Sequence, residues 1–299
     1  MIGLTIWRSE DFAKAIAESE ALLQAVQPGV VNLHLWPQDS TQKFVDRVRK
    51  VCPTAELWVS PGVNTLADDS VSSVEKQGKA WGKAAVKLGA RVLLLNAEGP
   101  AAEGHPGWTS KDKAQRAQLA ERVKALLSSC AESGITLGLT SHDCPDWHHL
   151  TWQAWLGADS PVKIHAPQVY PGIPRPGATL KGCRKRWATA TAQWDRQVKR
   201  GIVRHDLGPQ GSGWCTYTQG WGAEVAGTCW LLDQRDRGLV WASPSRLWAE
   251  GRAALAASCE VRRQAGDSAG AIARYQASKG LTADGVVGPR TLSALGAIQ

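Results

Sequence analysis

Short apolar segments alternate with amphipathic segments along most of this chain, and this regularity restricts the fold more than any other feature. The apolar segments are rich in Val, Ile and Leu, which is typical of parallel strands covered on both faces. We predict eight strands, at 2–7, 30–36, 56–60, 91–96, 135–141, 163–170, 202–207 and 239–243. Predicted helices follow them at 9–26, 41–51, 70–88, 110–133, 146–156, 182–200, 218–237 and 245–263. Eight strand–helix units predict an α/β fold, a (β/α)8 barrel of the TIM type.

A doubly wound open sheet is the alternative fold for such an alternation. The chain has no Gly-rich phosphate loop after its first strand. Since that loop is the mark of the nucleotide-binding version of the open sheet, we favour the closed barrel.

Residues 264–299 depart from the alternating pattern. Two short helices are predicted there, at 269–278 and 290–295, with Pro289 just before the second. A segment of about 35 residues is too small to be stable alone. We therefore predict a barrel domain at 1–263 and, at 264–299, a small C-terminal helical appendage that packs on the preceding helix.

The formal net charge of +8 favours anionic partners such as nucleic acid, a membrane surface or the bacterial wall. No nucleic-acid-binding motif accompanies the basic residues, and no apolar run approaches the ~20 residues that span a bilayer. The first residues also lack the basic segment of a signal peptide. We expect a protein made in the cytoplasm, without membrane insertion and without nucleic acid as a partner.

Seven cysteines are scattered along the chain without a CxxC pair. This odd number and spacing predict reduced, buried thiols rather than disulfides or a cysteine-based zinc site. His142, His148 and His149 lie near Asp143 and Asp146 in the sequence, but their spacing matches no standard zinc signature. We expect neither a metal nor a cofactor.

In a barrel of this type the active site lies at the carboxyl ends of the strands, so residues at those ends are the first candidates. Glu98 follows the apolar run 92–95 and precedes Gly99. A carboxylate in that position is partly desolvated, which raises its pKa and suits a general acid for a glycosidic oxygen. The other candidates at predicted strand ends are His34, Trp36, Asn96, Asp143, Gln168, Tyr170, Asp206 and Trp241.

The pattern Asn96-x-Glu98, with Gln168-x-Tyr170 and Trp241, resembles the chitinase and endo-acetylglucosaminidase family. The resemblance implies that Glu98 protonates the leaving oxygen while the substrate's own N-acetyl group acts as nucleophile. Asn96 and Tyr170 would hold the acetamido group, and Trp241 would stack under the sugar. The family usually has Asp where this chain has Asn96, and Asn cannot carry the charge of Asp.

The same region is similar to barrel-type muramidases, whose fourth strand also ends in Asp-x-Glu. Trp7 stands where those enzymes have an acid at the end of strand one. With two carboxylates, the partner of Glu98 would be Asp143 or Asp206, at about 5 Å for retention or about 6.5–9.5 Å for inversion. The candidates for substrate binding are Gln168, Trp241, His34, Trp36, Asp143 and Asp206.

The appendage contains Tyr275-Gln276, a turn from Gly280 to Gly285 that includes Asp284, and the run Gly288-Pro289-Arg290-Thr291. In this order and spacing, the three features resemble the family of helical peptidoglycan-binding domains, although the first half of the usual domain is not evident. The resemblance implies attachment to the bacterial cell wall. The wall-binding residues that it implies are Tyr275, Gln276, Asp284 and Arg290.

Together these features predict a monomeric peptidoglycan hydrolase that cleaves glycosidic bonds, as a muramidase (lysozyme) or an N-acetylglucosaminidase. A wall-directed appendage without an export signal indicates a phage endolysin, held in the host cytoplasm until lysis and then acting on the wall. A non-catalytic wall-binding protein with a degenerate barrel is the alternative, and Asn96 favours it. A peptidase or amidase would need a nucleophile or a metal, for which the sequence offers no candidate.

Overall fold

The computed structural model describes residues 1–7, 12–34, 41–63, 70–97, 113–145, 151–170, 179–219, 225–242 and 249–296. Eight parallel strands close into a barrel in chain order, and the first strand pairs with the last. The strands are β1 (Ile2–Trp7), β2 (Val30–His34), β3 (Glu56–Val59), β4 (Val92–Asn96), β5 (Thr136–His142), β6 (Val162–Gln168), β7 (Thr216–Gln219) and β8 (Gly238–Ala242). The predicted (β/α)8 barrel is confirmed.

Helices surround the barrel, one after each strand. Within the described ranges they are α1 (Phe12–Val26), α2 (Thr41–Val51), α3 (Val71–Lys87), α4 (Lys113–Ala131), α5 (Trp152–Leu156), α6 (Leu180–Lys199), α7 (Val225–Asp233) and α8 (Ala249–Gln264). The hydroxyl of Thr179 caps α6 by accepting the N–H of Gly182 over 3.1 Å. Such a cap satisfies a donor that the start of a helix otherwise leaves unpaired.

The apolar strands are buried on both faces, as their composition predicts. In β4, Val92 and Leu94 belong to the cluster that fills the barrel interior, whereas Leu93 and Leu95 pack beneath the helices. Because successive side chains of a strand point to opposite faces, an unbroken apolar run supplies both layers of the core.

Helices α3 and α4 approach each other closely because glycines of α3 face α4. A Cβ at Gly82 would lie 2.6 Å from Oγ of Ser133 and 2.9 Å from the carbonyl oxygen of Cys130. A Cβ at Gly78 would lie 2.9 Å from the carbonyl oxygen of Leu126. These distances are shorter than normal packing contacts, so the close approach of α3 and α4 requires residues without a Cβ at positions 78 and 82.

The position predicted for strand seven is wrong. Residues 202–207 end in a short 3-10 helix, His205–Leu207, and β7 lies further along the chain, at 216–219. The prediction missed β7 because it is built from Thr, Tyr and Gln rather than from Val, Ile and Leu. Aromatic and β-branched residues nevertheless favour strands, and Thr216, Tyr217 and Thr218 are all buried. The helix predicted from residue 218 begins at Val225 instead.

The C-terminal appendage contains α9 (Ala271–Ser278) and α10 (Pro289–Ala294), and it packs on α8. Its core is formed by Ala257 and Val261 of α8 together with Ile272, Tyr275 and Val287. Helix α8 therefore packs against the barrel through Leu255 and Cys259 and also contributes to the core of the appendage. The division between residues 263 and 264 falls within the last turn of α8 and stays a prediction.

All seven cysteines are buried and unbridged, as predicted. Burial raises the pKa of the Cys130 and Cys215 thiols to about 12, so both remain protonated at neutral pH. Among the helices of the described ranges, none combines the length and apolar character needed to cross a membrane.

Candidate functional site

Four polar side chains form a hydrogen-bonded group inside the barrel, at the carboxyl ends of β4, β5 and β6. Nε2 of Gln168 donates to Oδ1 of Asn96 over 3.2 Å and to Oγ1 of Thr140 over 3.1 Å. The hydroxyl of Tyr170 donates to Oε1 of Gln168. Asn96, Thr140 and Gln168 are at most 7% exposed, whereas Tyr170 is half-buried. We call these four residues the Gln168 network; its central amide holds the other three side chains in one arrangement.

The strand pattern explains why these residues meet. Asn96 occupies the inward-facing position that follows Leu94 in β4, and in backbone register it pairs with Thr140 of β5. Gln168 follows the inward-facing Ala166 of β6. Strands β4 and β6 therefore change from apolar to polar at their last inward positions, which makes this part of the barrel mouth polar.

Two histidines continue the same alternation. His34 lies two residues after Asn32 in β2, and Asn32 donates from Nδ2 to Oγ1 of Thr5 over 3.1 Å. His142 lies two residues after Thr140 in β5. Burial lowers the pKa of His34 to about 4, so this imidazole is neutral at pH 7 and can either donate or accept a hydrogen bond. The predicted site residue His34 therefore lies at the same end of the barrel as the Gln168 network.

Glu98 and Trp36 lie outside the described residues, and only the backbone position of Trp241 is described. Ala97, the residue before Glu98 in the sequence, is buried, and its N–H donates to the carbonyl oxygen of Thr140 over 3.0 Å. Trp241 pairs in register with Thr5 of β1. The roles of Glu98, Trp36 and Trp241 stay predictions.

Asp143 directly follows β5 at the mouth of the barrel, where its carboxylate forms an ion pair with Arg186 of α6. The distance from Nε of Arg186 to Oδ2 of Asp143 is 2.6 Å, and Asp143 is 4% exposed. Nε1 of Trp194 also donates to the carbonyl oxygen of Asp143 over 3.0 Å. A buried carboxylate held in this way is costly to separate from its partner, so binding substrate would require Asp143 to exchange Arg186 for a sugar.

Asp206 lies at the opposite end of the barrel, contrary to the prediction. Its carboxylate binds the guanidinium of Arg204 at 2.8 Å, and Arg204 also donates to the carbonyl oxygen of Val162, the first residue of β6. The hydrogen bond from Arg204 lowers the pKa of Asp206. Because the active sites of such barrels lie at the carboxyl ends of the strands, Asp206 has no place as a substrate ligand or as a partner of Glu98.

In the appendage, Gln276 is an internal residue. It is 2% exposed, and its Oε1 accepts the N–H of Gly285 over 2.9 Å. Its Nε2 lies 2.8 Å from Oδ1 of Asp284, 2.8 Å from the carbonyl oxygen of Val286 and 3.2 Å from Oγ1 of Thr291. The prediction that Gln276 contacts the wall directly is therefore wrong, since its amide is fully used in holding the turn between α9 and α10.

The other predicted wall-binding residues divide into internal and exposed positions. Tyr275 is 6% exposed and donates its hydroxyl to the carbonyl oxygen of Ala294 over 3.1 Å, so direct wall contact is wrong for it as well. Oδ1 of Asp284 accepts the N–H of Val286 over 3.0 Å. Arg290 is exposed on the first turn of α10, and it remains a candidate for binding.

The appendage is attached to the barrel by a carboxylate that the sequence did not single out. Asp233, the last residue of α7, accepts the N–H groups of Ile272 over 2.8 Å and of Ala273 over 3.4 Å at the start of α9. Burial raises the pKa of Asp233. Arg262, 1% exposed, has its Nη1 4.0 Å from Oδ1 of Asp233 and its Nε 3.0 Å from Oδ1 of Asp267. Capping between two elements leaves no local sequence signal, because the partners are far apart along the chain.

Metal ligation has no support in the described part of the chain, where no group of three or more His, Cys, Asp and Glu side chains could hold an ion.

The appendage is the part of the chain that matches a known protein family. Residues 265–295 match a family described as a peptidoglycan binding domain. A search of curated protein sequences finds no matching relative.

Solved structures that share the barrel differ in activity. A GH18 chitinase from Pseudoalteromonas aurantia superposes with a TM-score of 0.54 at 9% identity, over 85% of this chain and 99% of that chain. An L-ribulose 3-epimerase gives 0.54 at 10% identity, over 88% and 95%. A D-allulose 3-epimerase from a Methylomonas species gives 0.50 at 15% identity, over 88% and 96%. These similarities establish the barrel fold, and the appendage carries a peptidoglycan-binding domain motif.

Proposed function

We propose that this protein is a glycoside hydrolase that cleaves the glycan strands of peptidoglycan, with Glu98 as its general acid. The Gln168 network carries the proposal, because it places uncharged hydrogen-bonding groups at the mouth of the barrel. An acetamido sugar offers one N–H donor and one carbonyl acceptor, and side-chain amides and hydroxyls bind both. The match of residues 265–295 to a peptidoglycan binding domain supports a wall glycan as the source of that sugar.

In the proposed mechanism, Glu98 protonates the glycosidic oxygen while the acetamido oxygen of the substrate attacks the anomeric carbon. Oδ1 of Asn96 accepts a hydrogen bond from Gln168 and has a second lone pair for the acetamido N–H. The hydroxyl of Tyr170 turns from Gln168 to the acetamido oxygen. Water then opens the cyclic intermediate. A neutral Asn96 stabilises the positive charge of that intermediate less than an Asp would, so we expect slow turnover.

The finer identity is also a proposal. We expect a muramidase or an N-acetylglucosaminidase that acts as a monomeric phage endolysin, with peptidoglycan as its partner. It would wait in the host cytoplasm and reach the wall at lysis. These expectations rest on the wall-directed appendage.

A non-catalytic wall-binding protein is the second candidate function. Two observations favour it: Asn96 is uncharged, and the carboxylate of Asp143 is committed to Arg186. In that case the barrel would bind glycan without cleaving it.

Digestion of purified peptidoglycan by the wild type, Glu98→Gln and Asp206→Asn separates these functions. Mass spectrometry should find new reducing ends with the wild type and with Asp206→Asn, whose carboxylate lies at the opposite end of the barrel. Glu98→Gln should produce none. Full activity in Glu98→Gln would refute the proposed acid. Absence of reducing ends with the wild type would favour the binding protein, and free peptides would indicate an amidase.

A further inference from the structure

The beginning of α6 carries an unusual density of positive charge. Lys181, Arg184, Lys185 and Arg186 all lie within its first seven residues, and its first turn contains no acid. The N-terminus of a helix bears a partial positive charge, so anions are normally favoured there. Lys181 and Lys185 also stand one turn apart, where like charges repel. Folding alone therefore does not account for this placement.

The two arginines position the start of α6 between the barrel mouth and the appendage. Arg186 forms the ion pair with Asp143 at the end of β5. The guanidinium carbon of Arg184 lies 5.2 Å from the ring centroid of Trp230, and its Nη2 donates to the carbonyl oxygen of Asp284 over 3.4 Å. One arginine thus contacts the mouth, and the other contacts the turn that joins α9 to α10.

The two lysines have no such structural task. Both are exposed, and neither pairs with a carboxylate of the residues that the structure describes. Lys181 and Lys185 therefore present two hydrated charges on the surface between the proposed catalytic mouth and the appendage.

We infer that Lys181 and Lys185 form an anion-binding surface that guides the carboxylate-bearing peptides of peptidoglycan from the appendage to the barrel mouth. The inference rests on the proposed function and names the part of the substrate that this surface would take. The free carboxylates of the stem peptides are the anions that belong to peptidoglycan itself. Exposed lysines act as mobile point charges rather than as rigid forks, which suits a repeating charge on a polymer that must move across the surface.

The test compares two double variants by co-sedimentation with peptidoglycan sacculi stripped of accessory polymers. Lys181→Glu/Lys185→Glu reverses the proposed surface, and Lys76→Glu/Lys83→Glu reverses two exposed lysines of α3, on another side of the barrel. Each variant lowers the formal net charge from +8 to +4, because two reversals remove four units. Acids are favourable at a helix N-terminus, so the α6 variant should fold; circular dichroism checks this.

The α6 variant should bind stripped sacculi about tenfold more weakly than the wild type at low salt, the size expected from several exposed charge interactions. High salt should reduce this difference, and so should amidation of the sacculus carboxylates. The α3 variant should bind nearly as the wild type does. Equal losses in both variants, or a loss that survives amidation, would overturn the inference. If the α6 variant bound duplex DNA more weakly than the wild type but bound sacculi equally well, the inference would be overturned in favour of a nucleic-acid surface. Failure of the wild type to bind sacculi would instead refute wall targeting as a whole.

Discussion

Replacement of Gln276 by Ala tests whether the most distinctive side chain of the appendage acts by folding or by binding. Its amide contacts Gly285, Val286, Thr291 and Asp284. The bonds to Gly285 and Thr291 are buried, and each group left unpaired there costs about 1–3 kcal/mol. The bonds to Val286 and Asp284 are only partly buried, so water replaces them at about 0.5 kcal/mol each. We expect Gln276→Ala to destabilise the appendage by about 4 kcal/mol.

Hydrogen exchange followed by mass spectrometry measures this effect locally. Peptides that cover α9 and α10 should exchange up to about a thousandfold faster in Gln276→Ala, because 1.4 kcal/mol corresponds to a factor of ten. Peptides from β4 and β5 should be unchanged, since the substitution does not touch the barrel. Arg290→Ala is the control: its exposed side chain should leave exchange unaltered while weakening wall binding.

Wall binding decides between the two roles of Gln276. If Gln276→Ala abolishes binding without changing exchange in α9 and α10, the amide contacts the ligand directly and the structural role is refuted. If binding and protection are lost together, the buried hydrogen bonds are what the appendage needs in order to present a surface.

Three further outcomes follow from the packing and the site. Gly82→Ala should lower the free energy of unfolding, measured in urea, by about 2 kcal/mol, because the new Cβ would clash with the carbonyl oxygen of Cys130. Gly182→Ala is the control and should cause no loss, since a Cβ there would lie 3.5 Å from Oγ1 of Thr179, an ordinary contact distance. Burial lowers the pKa of His165 to about 3. Between pH 7 and pH 5 the imidazole of His165 therefore takes up a proton in the unfolded chain but not in the folded protein, so this residue alone should cost about 2 kcal/mol of stability on acidification. A further loss comes from His34, whose pKa burial also lowers; an equally steep profile in His165→Gln would contradict the assignment. Tyr170→Phe should lower kcat on peptidoglycan at least about tenfold with little change in the urea midpoint, and an unchanged kcat would remove the hydroxyl from the mechanism.

Local patterns in the sequence were sufficient for the architecture. Residues 92–95 form an unbroken apolar run, and burial on both faces of β4 follows from such a run. The positions of Asn96 and Gln168 at the ends of their strands follow from the same reading. The appendage motif could also be identified from the sequence, because its glycines, its proline and Asp284 form turns between residues that are close in sequence. Strand β7 was not predicted, because its residues Thr, Tyr, Thr and Gln are mostly polar although the strand is buried.

Only the tertiary structure decided which of these residues work together. In the folded protein, Asn96, Thr140 and Gln168 form one hydrogen-bonded network. Asp206 lies at the other end of the barrel, and the side chain of Gln276 is buried within the appendage. The tertiary structure also joined Asp233 to the start of α9 and Arg184 to the turn at Asp284. The contacts within the Gln168 network, between Asp233 and α9, and between Arg184 and Asp284 link elements that are distant in sequence. A local pattern reports the period of burial along one element, whereas hydrogen-bond partners are set by the closure of the barrel and the packing of helices around it.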